Sequence, residues 1–167
     1  MISTEHVRLM ARYNRWQNAS IYAAADAIGD EARRLDRGAF FGSIHGTLSH
    51  LLWGDMMWLH RFTGRPRPPG GISSSRDLFA DWCALQEARE SLDAEISSWA
   101  ASLDPEWLKR SITWASAALN RDVTRANWTL AAHFFNHQTH HRGQVHAMLT
   151  AAGAKPDDTD LMVIAGD

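Results

Sequence analysis

Apolar residues recur every three or four positions in four stretches of the chain, the spacing of an amphipathic helix. The first stretch runs from about Thr4 to Ile28. Val7, Met10, Ile21, Ala24 and Ile28 mark its stripe, Asn14 sits among them, and Gly29 follows as a stop. The second runs from about Ser43, a good N-cap residue, to Phe62, with Gly64 beyond its end. The third begins after Ser73-Ser74-Ser75 and ends near Leu103. Leu78, Trp82, Leu85, Leu92, Ile96 and Trp99 keep a near-heptad rhythm there, Arg89 breaks one slot, and Asp104-Pro105 closes it. The fourth starts near Asn127 and runs to Ala152, with Gly153 where a C′ glycine belongs and Pro156 after it.

Two connections carry their own signals. Gly64 to Gly71 holds three prolines and three glycines, which cannot continue a helix, so it reads as a loop between helices. Ile112 and Trp114 alternate with polar residues, and Asn120-Arg121-Asp122 has turn chemistry, so a short hairpin fits before the last helix. No repeat or low-complexity tract interrupts the chain. The expected fold class is all-α, an antiparallel four-helix bundle forming a single domain over residues 1–167.

Composition excludes several function classes. The 167 residues carry a net charge of −2 with no Lys/Arg cluster, so no electrostatic footprint for nucleic acid exists. No apolar run approaches the roughly 18 residues of a membrane helix. His6, Arg8 and Asn14 stand where a signal peptide would be apolar, and the whole fits a cytoplasmic protein. The single cysteine, Cys83, excludes an internal disulfide framework, and its helical setting predicts a small buried core residue.

Nine histidines are the compositional anomaly, and five of them lie between His133 and His146. At about 100° per residue, His133, His137, His140, His141 and Gln144 share one helix face, whereas Arg142 and His146 point away. His137 and His141, one turn apart, can converge on one cation, and His133 with His137 has the same spacing. The glutamate that would follow the first histidine in a metalloprotease helix is absent, since Gln138 stands there. Several imidazoles on one inward face repel when charged and need partners when neutral, and a metal satisfies them. A third ligand must come from another helix. His45 and His50, about 140° apart on the second helix, are both available, with His50 in line with Trp53, Gly54, Met57 and Arg61.

These residues carry a resemblance. Asn136-His137-Gln138-Thr139-His140-His141-Arg142-Gly143-Gln144 resembles the signature of the DinB-like family of damage-inducible, metal-binding four-helix bundles. Ala11 to Asn18, and Leu48 to Asp55 with its Ser49-His50 and Asp55, resemble the family's first two helices, so the likeness spans nearly the whole chain. It implies an up-down-down-up bundle, often a homodimer, and a divalent metal, zinc or nickel first among the candidates, on His50, His137 and His141. His50 is thereby selected over His45, and His141 over His133.

Related bundles include transferases and isomerases that use low-molecular-weight thiols. The implied function is therefore a metal-dependent enzyme moving a thiol onto a small electrophile. Three histidines leave a coordination position open, whereas structural zinc sites close with four protein ligands. The alternatives are a non-catalytic metal-binding stress or interaction protein and a metal-assisted hydrolase. Arg61 and Gln144 are candidate residues at the mouth of the site. Trp53 and Trp58 flank the His50 face, where core packing is the simpler role for each.

Overall fold

A computed structural model describes residues 1–116 and 119–164. Four long helices dominate it. Ser3 caps the first, α1 (Thr4–Ala27), by accepting from the His6 N–H. Ser43 caps α3 (Ile44–Thr63) through the Gly46 N–H, and Gly64 ends it in the left-handed region at φ 76°. Asp81 caps α4 (Trp82–Ala101) through Ala84. The last, α6 (Asn127–Ala151), runs out through Ala152 into Gly153 at φ 85°. Ser3, Ser43 and Asp81 satisfy N–H groups that a helix start leaves without partners, and the Gly64 N–H donates back to the His60 carbonyl.

The packing is cyclic: α1 lies against α4 and α6, and α3 lies against the same two helices from the other side. Ile21 of α1, Leu48 and Leu59 of α3, Leu85 and Ile96 of α4, and Phe134 and Leu149 of α6 meet in one buried core. Five of the six near-heptad positions of the third stretch, Trp82, Leu85, Leu92, Ile96 and Trp99, are buried in this core, whereas Leu78 precedes α4 and is only half-buried.

The chain is mostly helical rather than purely so. A two-stranded antiparallel sheet joins β1 (Ser111–Ser116) to β2 (Arg121–Ala126), with Trp114 opposite Val123 and Thr113 opposite Thr124. This is the expected hairpin. Its turn comes earlier than Asn120-Arg121-Asp122, because Arg121 and Asp122 already pair in β2; Asn120 takes φ 48°, and positions 117–118 lie outside the described residues.

Three short elements depart from the periodic pattern. Gly29 does stop α1, at φ 80°, but a second short helix, α2 (Gly29–Arg34), follows without a linker. Ser73-Ser74-Ser75 do not open a helix. They belong to a 3-10 turn, Ile72–Asp77, that lies along α3, and α4 starts only at Trp82. Asp104 and Pro105 close the third stretch by starting α5 (Pro105–Lys109), with Asp104 accepting from Glu106 N–H. One side chain is also corrected: Cys83 is exposed, one position beyond the buried Trp82. No helix of the described residues is long and apolar enough to cross a membrane.

Candidate metal centre

The helical period sets His50, Trp53, Gly54, Met57 and Arg61 along one side of α3. The opposing helix, α6, presents His137 and His141 one turn apart. Where the two helices meet, one nitrogen from each of His50, His137 and His141 lies within 4.8 Å of the others. The ring centroids are 4.5 Å apart for His137 and His141, 4.8 Å for His50 and His141, and 5.5 Å for His50 and His137.

Gly54 makes this approach possible. A Cβ at that position would stand 2.9 Å from Cε1 of His137, closer than carbon atoms tolerate. On the other side, Phe41 stacks on His50 with centroids 3.7 Å apart and meets the edge of His141. The phenyl ring thus shields the imidazoles from water.

Hydrogen bonds fix which ring nitrogen carries the proton. Ser75 Oγ donates its one hydrogen to the Ile72 carbonyl, so it accepts from His50 Nδ1–H at 2.7 Å. Gln144 Oε1 accepts from His141 Nδ1–H at 2.8 Å. Both rings therefore keep a bare Nε2 lone pair, the form a metal needs. His137 is supported differently: its Nδ1 is buried with no hydrogen-bond partner among the described residues. An orphaned imidazole nitrogen beside two bare ones fits a cation, which would take up lone pairs that nothing else engages.

The electrostatics agree with neutral ligands. Burial pushes His50 down to about 4, with His141 adding to the effect. Burial pushes His137 further, to about 3, helped by His141, His50, His133 and His140. His141 is lowered by burial, against which the Gln144 contact works.

A cavity of about 600 Å³ opens beside the cluster, lined in part by His50, His137, Trp53, Trp58, Arg61 and Trp114. The proline-rich loop forms part of its wall, and Trp53 Nε1–H donates to the Pro69 carbonyl. Trp53 and Trp58 therefore wall a pocket as well as pack. Arg61 lines the cavity, whereas Gln144 turns to His141. His133 lies at the cavity edge, His140 is exposed, and His45 faces elsewhere, with Nε2 at 2.6 Å from the Phe79 carbonyl. The sequence pattern gave no signal for Phe41, and it disguised Ser75 as part of a helix start.

Behind the cluster, deeper in the core, lies a second polar group. Arg89 of α4 pairs with Asp55 of α3 at 2.7 Å and with Asp93 at 2.8 Å. Asn14 and Asn18 of α1 donate to Asp93, and Arg142 of α6 donates to Asn14. Burial raises Asp55 to about 6 despite Arg89, and burial lowers Arg142 to about 10. Asn14 thus ties α1 to Asp93 of α4 and Arg142 of α6.

Comparison with known proteins places the chain. It is 27% identical over 161 residues to Protein DinB of Bacillus subtilis (strain 168), covering 89% of this chain and 87% of that protein. No solved structure matches it. The sequence profile of the DinB family matches residues 1–165, and the chain belongs to that family.

Proposed function

We propose that this protein is a metal-dependent enzyme that holds one divalent ion on His50, His137 and His141 and transfers a low-molecular-weight thiol to a small electrophile. The observation that carries the proposal is the tautomer arrangement: Ser75 and Gln144 each hold an Nδ1 proton, and Nδ1 of His137 lacks a partner among the described residues. A zinc or nickel ion with three imidazoles would supply a Lewis-acidic position that acidifies a bound thiol or water. The chain's own part is to hold the three rings neutral, to cover one side with Phe41, and to admit substrate from the cavity on the other. The same reading takes the four long helices as an up-down-down-up bundle, a single domain that works as a cytoplasmic homodimer in a stress response.

Hydrolysis by a carboxylate base has less support. No Asp or Glu lines the cavity among the described residues, and Asp55 is buried against Arg89.

Metal analysis of the purified protein tests the site. About one ion per chain is expected. His50→Ala, His137→Ala and His141→Ala should each lose it, and His140→Ala should keep it. Metal retained by any of the first three breaks the ligand assignment. Cobalt substitution then tests the chemistry. A thiol that alters the cobalt absorption spectrum, together with turnover of a chromogenic electrophile, supports transfer. A fold that melts on chelation and a spectrum that ignores thiols leave a non-catalytic metal-binding stress protein.

A further inference from the structure

The cavity beside the histidines has a charge pattern that metal binding does not require. Its ionisable lining is Arg61, Arg67 and histidines, with no Asp or Glu among the described residues, in a chain whose net charge is −2. The two arginines differ from their neighbour in sequence. Arg65 pairs with Glu95 at 3.0 Å, whereas Arg61 and Arg67 have no carboxylate partner among the described residues.

Arg61 is also held in place. Its guanidinium carbon lies 4.5 Å from the Trp58 ring centre and 5.2 Å from that of Trp114. The two indoles stand at 73° to each other, so they form a corner around the cation. A guanidinium that lies over one indole keeps in-plane N–H groups for a ligand. Burial lowers Arg61, and Arg67 lowers it further, so an anion between them would be favoured by both groups.

We infer that the cavity binds a small organic carboxylate, with its anionic group on Arg61 beside Arg67 and its apolar body against Trp58, Trp114 and Met57. The planar guanidinium matches a carboxylate through two parallel hydrogen bonds. A phosphate fits less well, because Arg61 lies in the last turn of α3, where the helix dipole opposes concentrated negative charge. That the bound carboxylate is a substrate rests on the proposed function above; that it binds does not. The hairpin gains a purpose from this assignment, since β1 supplies Trp114 to the arginine corner.

Tryptophan fluorescence titration of the full-length protein with trans-cinnamate and its neutral analogue cinnamamide tests the inference, on zinc-loaded and EDTA-stripped protein. Cinnamate should bind at least about tenfold more tightly than cinnamamide in both forms. Arg61→Gln should erase that preference, Arg61→Lys should keep part of it, and Arg65→Gln should leave it whole. Equal affinities, or a preference that survives Arg61→Gln, overturn the inference. A preference seen only with zinc and unaffected by Arg61→Gln assigns the carboxylate to the metal and also overturns it. Displacement of cinnamate by equimolar inorganic phosphate overturns the carboxylate assignment. Failure of the ligand assignment itself would appear as metal retained in His50→Ala, with the cinnamate preference intact.

Discussion

Two polar groups lie on either side of α3 and α6, and they are built on opposite terms. The inner one joins Arg89 to Asp55 and Asp93, and Arg142 to Asn14, so two cations stand with two carboxylates. The outer one joins three neutral histidines to two arginines that have no carboxylate beside them among the described residues. Arg89, Asp55, Asp93 and Asn14 of the first set are buried, and so are His50 and His141 of the second. Burial of polar side chains therefore does not by itself mark function. Charges paired within the chain serve the packing, and imidazole lone pairs that converge beside a cavity with unpaired cations point to ligands.

The sharpest test of the inner group is Arg89→Met. Removing the cation of this buried ion pair strips the partner from both Asp55 and Asp93, at a cost of about 3–5 kcal/mol. Urea denaturation should show that loss. Metal bound per folded molecule should stay constant, because Arg89 touches none of the three histidines. A stability loss below about 1 kcal/mol would mean that the inner group is solvated and that the contrast is false.

Gly54→Ala strikes the outer group in the reverse sense. Its Cβ would stand 2.9 Å from His137, so the imidazole must move away. Metal affinity should fall by about tenfold to a hundredfold, the range seen when support of a ligand is lost. Stability of the metal-free chain should hold or rise by up to about 1 kcal/mol, since alanine is the better helix former. Competitive titration against a chromophoric chelator reads the first effect, and thermal melts in EDTA read the second. Unchanged metal affinity would show that the close approach of the two helices is not needed.

The sequence made much of this visible, for physical reasons that also explain its failures. Helical periodicity is a local property, and it located α1, α3, α4 and α6 together with the caps Ser43 and Gly153. It aligned His137 with His141, because a turn of helix is fixed geometry. It could not select the third histidine, since that depends on which helices meet, and only family likeness chose His50. Arg89 looked like a break in an apolar stripe because its partner Asp55 lies on another helix. Ser75 looked like part of a helix start, whereas its hydroxyl turns to His50 across a tertiary contact. Cys83 was expected in the core and is exposed, since it neighbours Trp82 but lies off its face.

Acid separates the two groups next. In the metal-free protein His50 is held down to about 4 and His137 to about 3, whereas unfolded histidine titrates at about 6.5. The unfolded chain thus binds more protons below pH 6.5, and stability falls as pH drops through that value. Asp55 acts in the opposite direction. Its carboxyl, raised to about 6, takes a proton in the native state first and favours folding between about 6 and the usual carboxylate range. The melting temperature in EDTA should therefore fall from pH 7 to pH 5. A triple variant His50→Gln, His137→Gln and His141→Gln should fall less. Parallel curves for the two proteins would mean that the cluster is not buried in its neutral form.

The smallest effect separates two histidines on one helix. His45 and His50 are about 140° apart on α3, and each ring meets one oxygen. The oxygen facing His45 is a backbone carbonyl, which can only accept, so Nε2 carries the proton there. The oxygen facing His50 is a serine hydroxyl already committed as a donor to Ile72, so the proton sits on Nδ1 and Nε2 is bare toward the cluster. His45→Ala removes one neutral hydrogen bond, and a loss of about 1 kcal/mol in denaturant titration is expected, with metal content unchanged. Loss of the ion in this variant would move the boundary of the outer group across α3, and the distinction between matched and unmatched polar groups would no longer follow the helix faces.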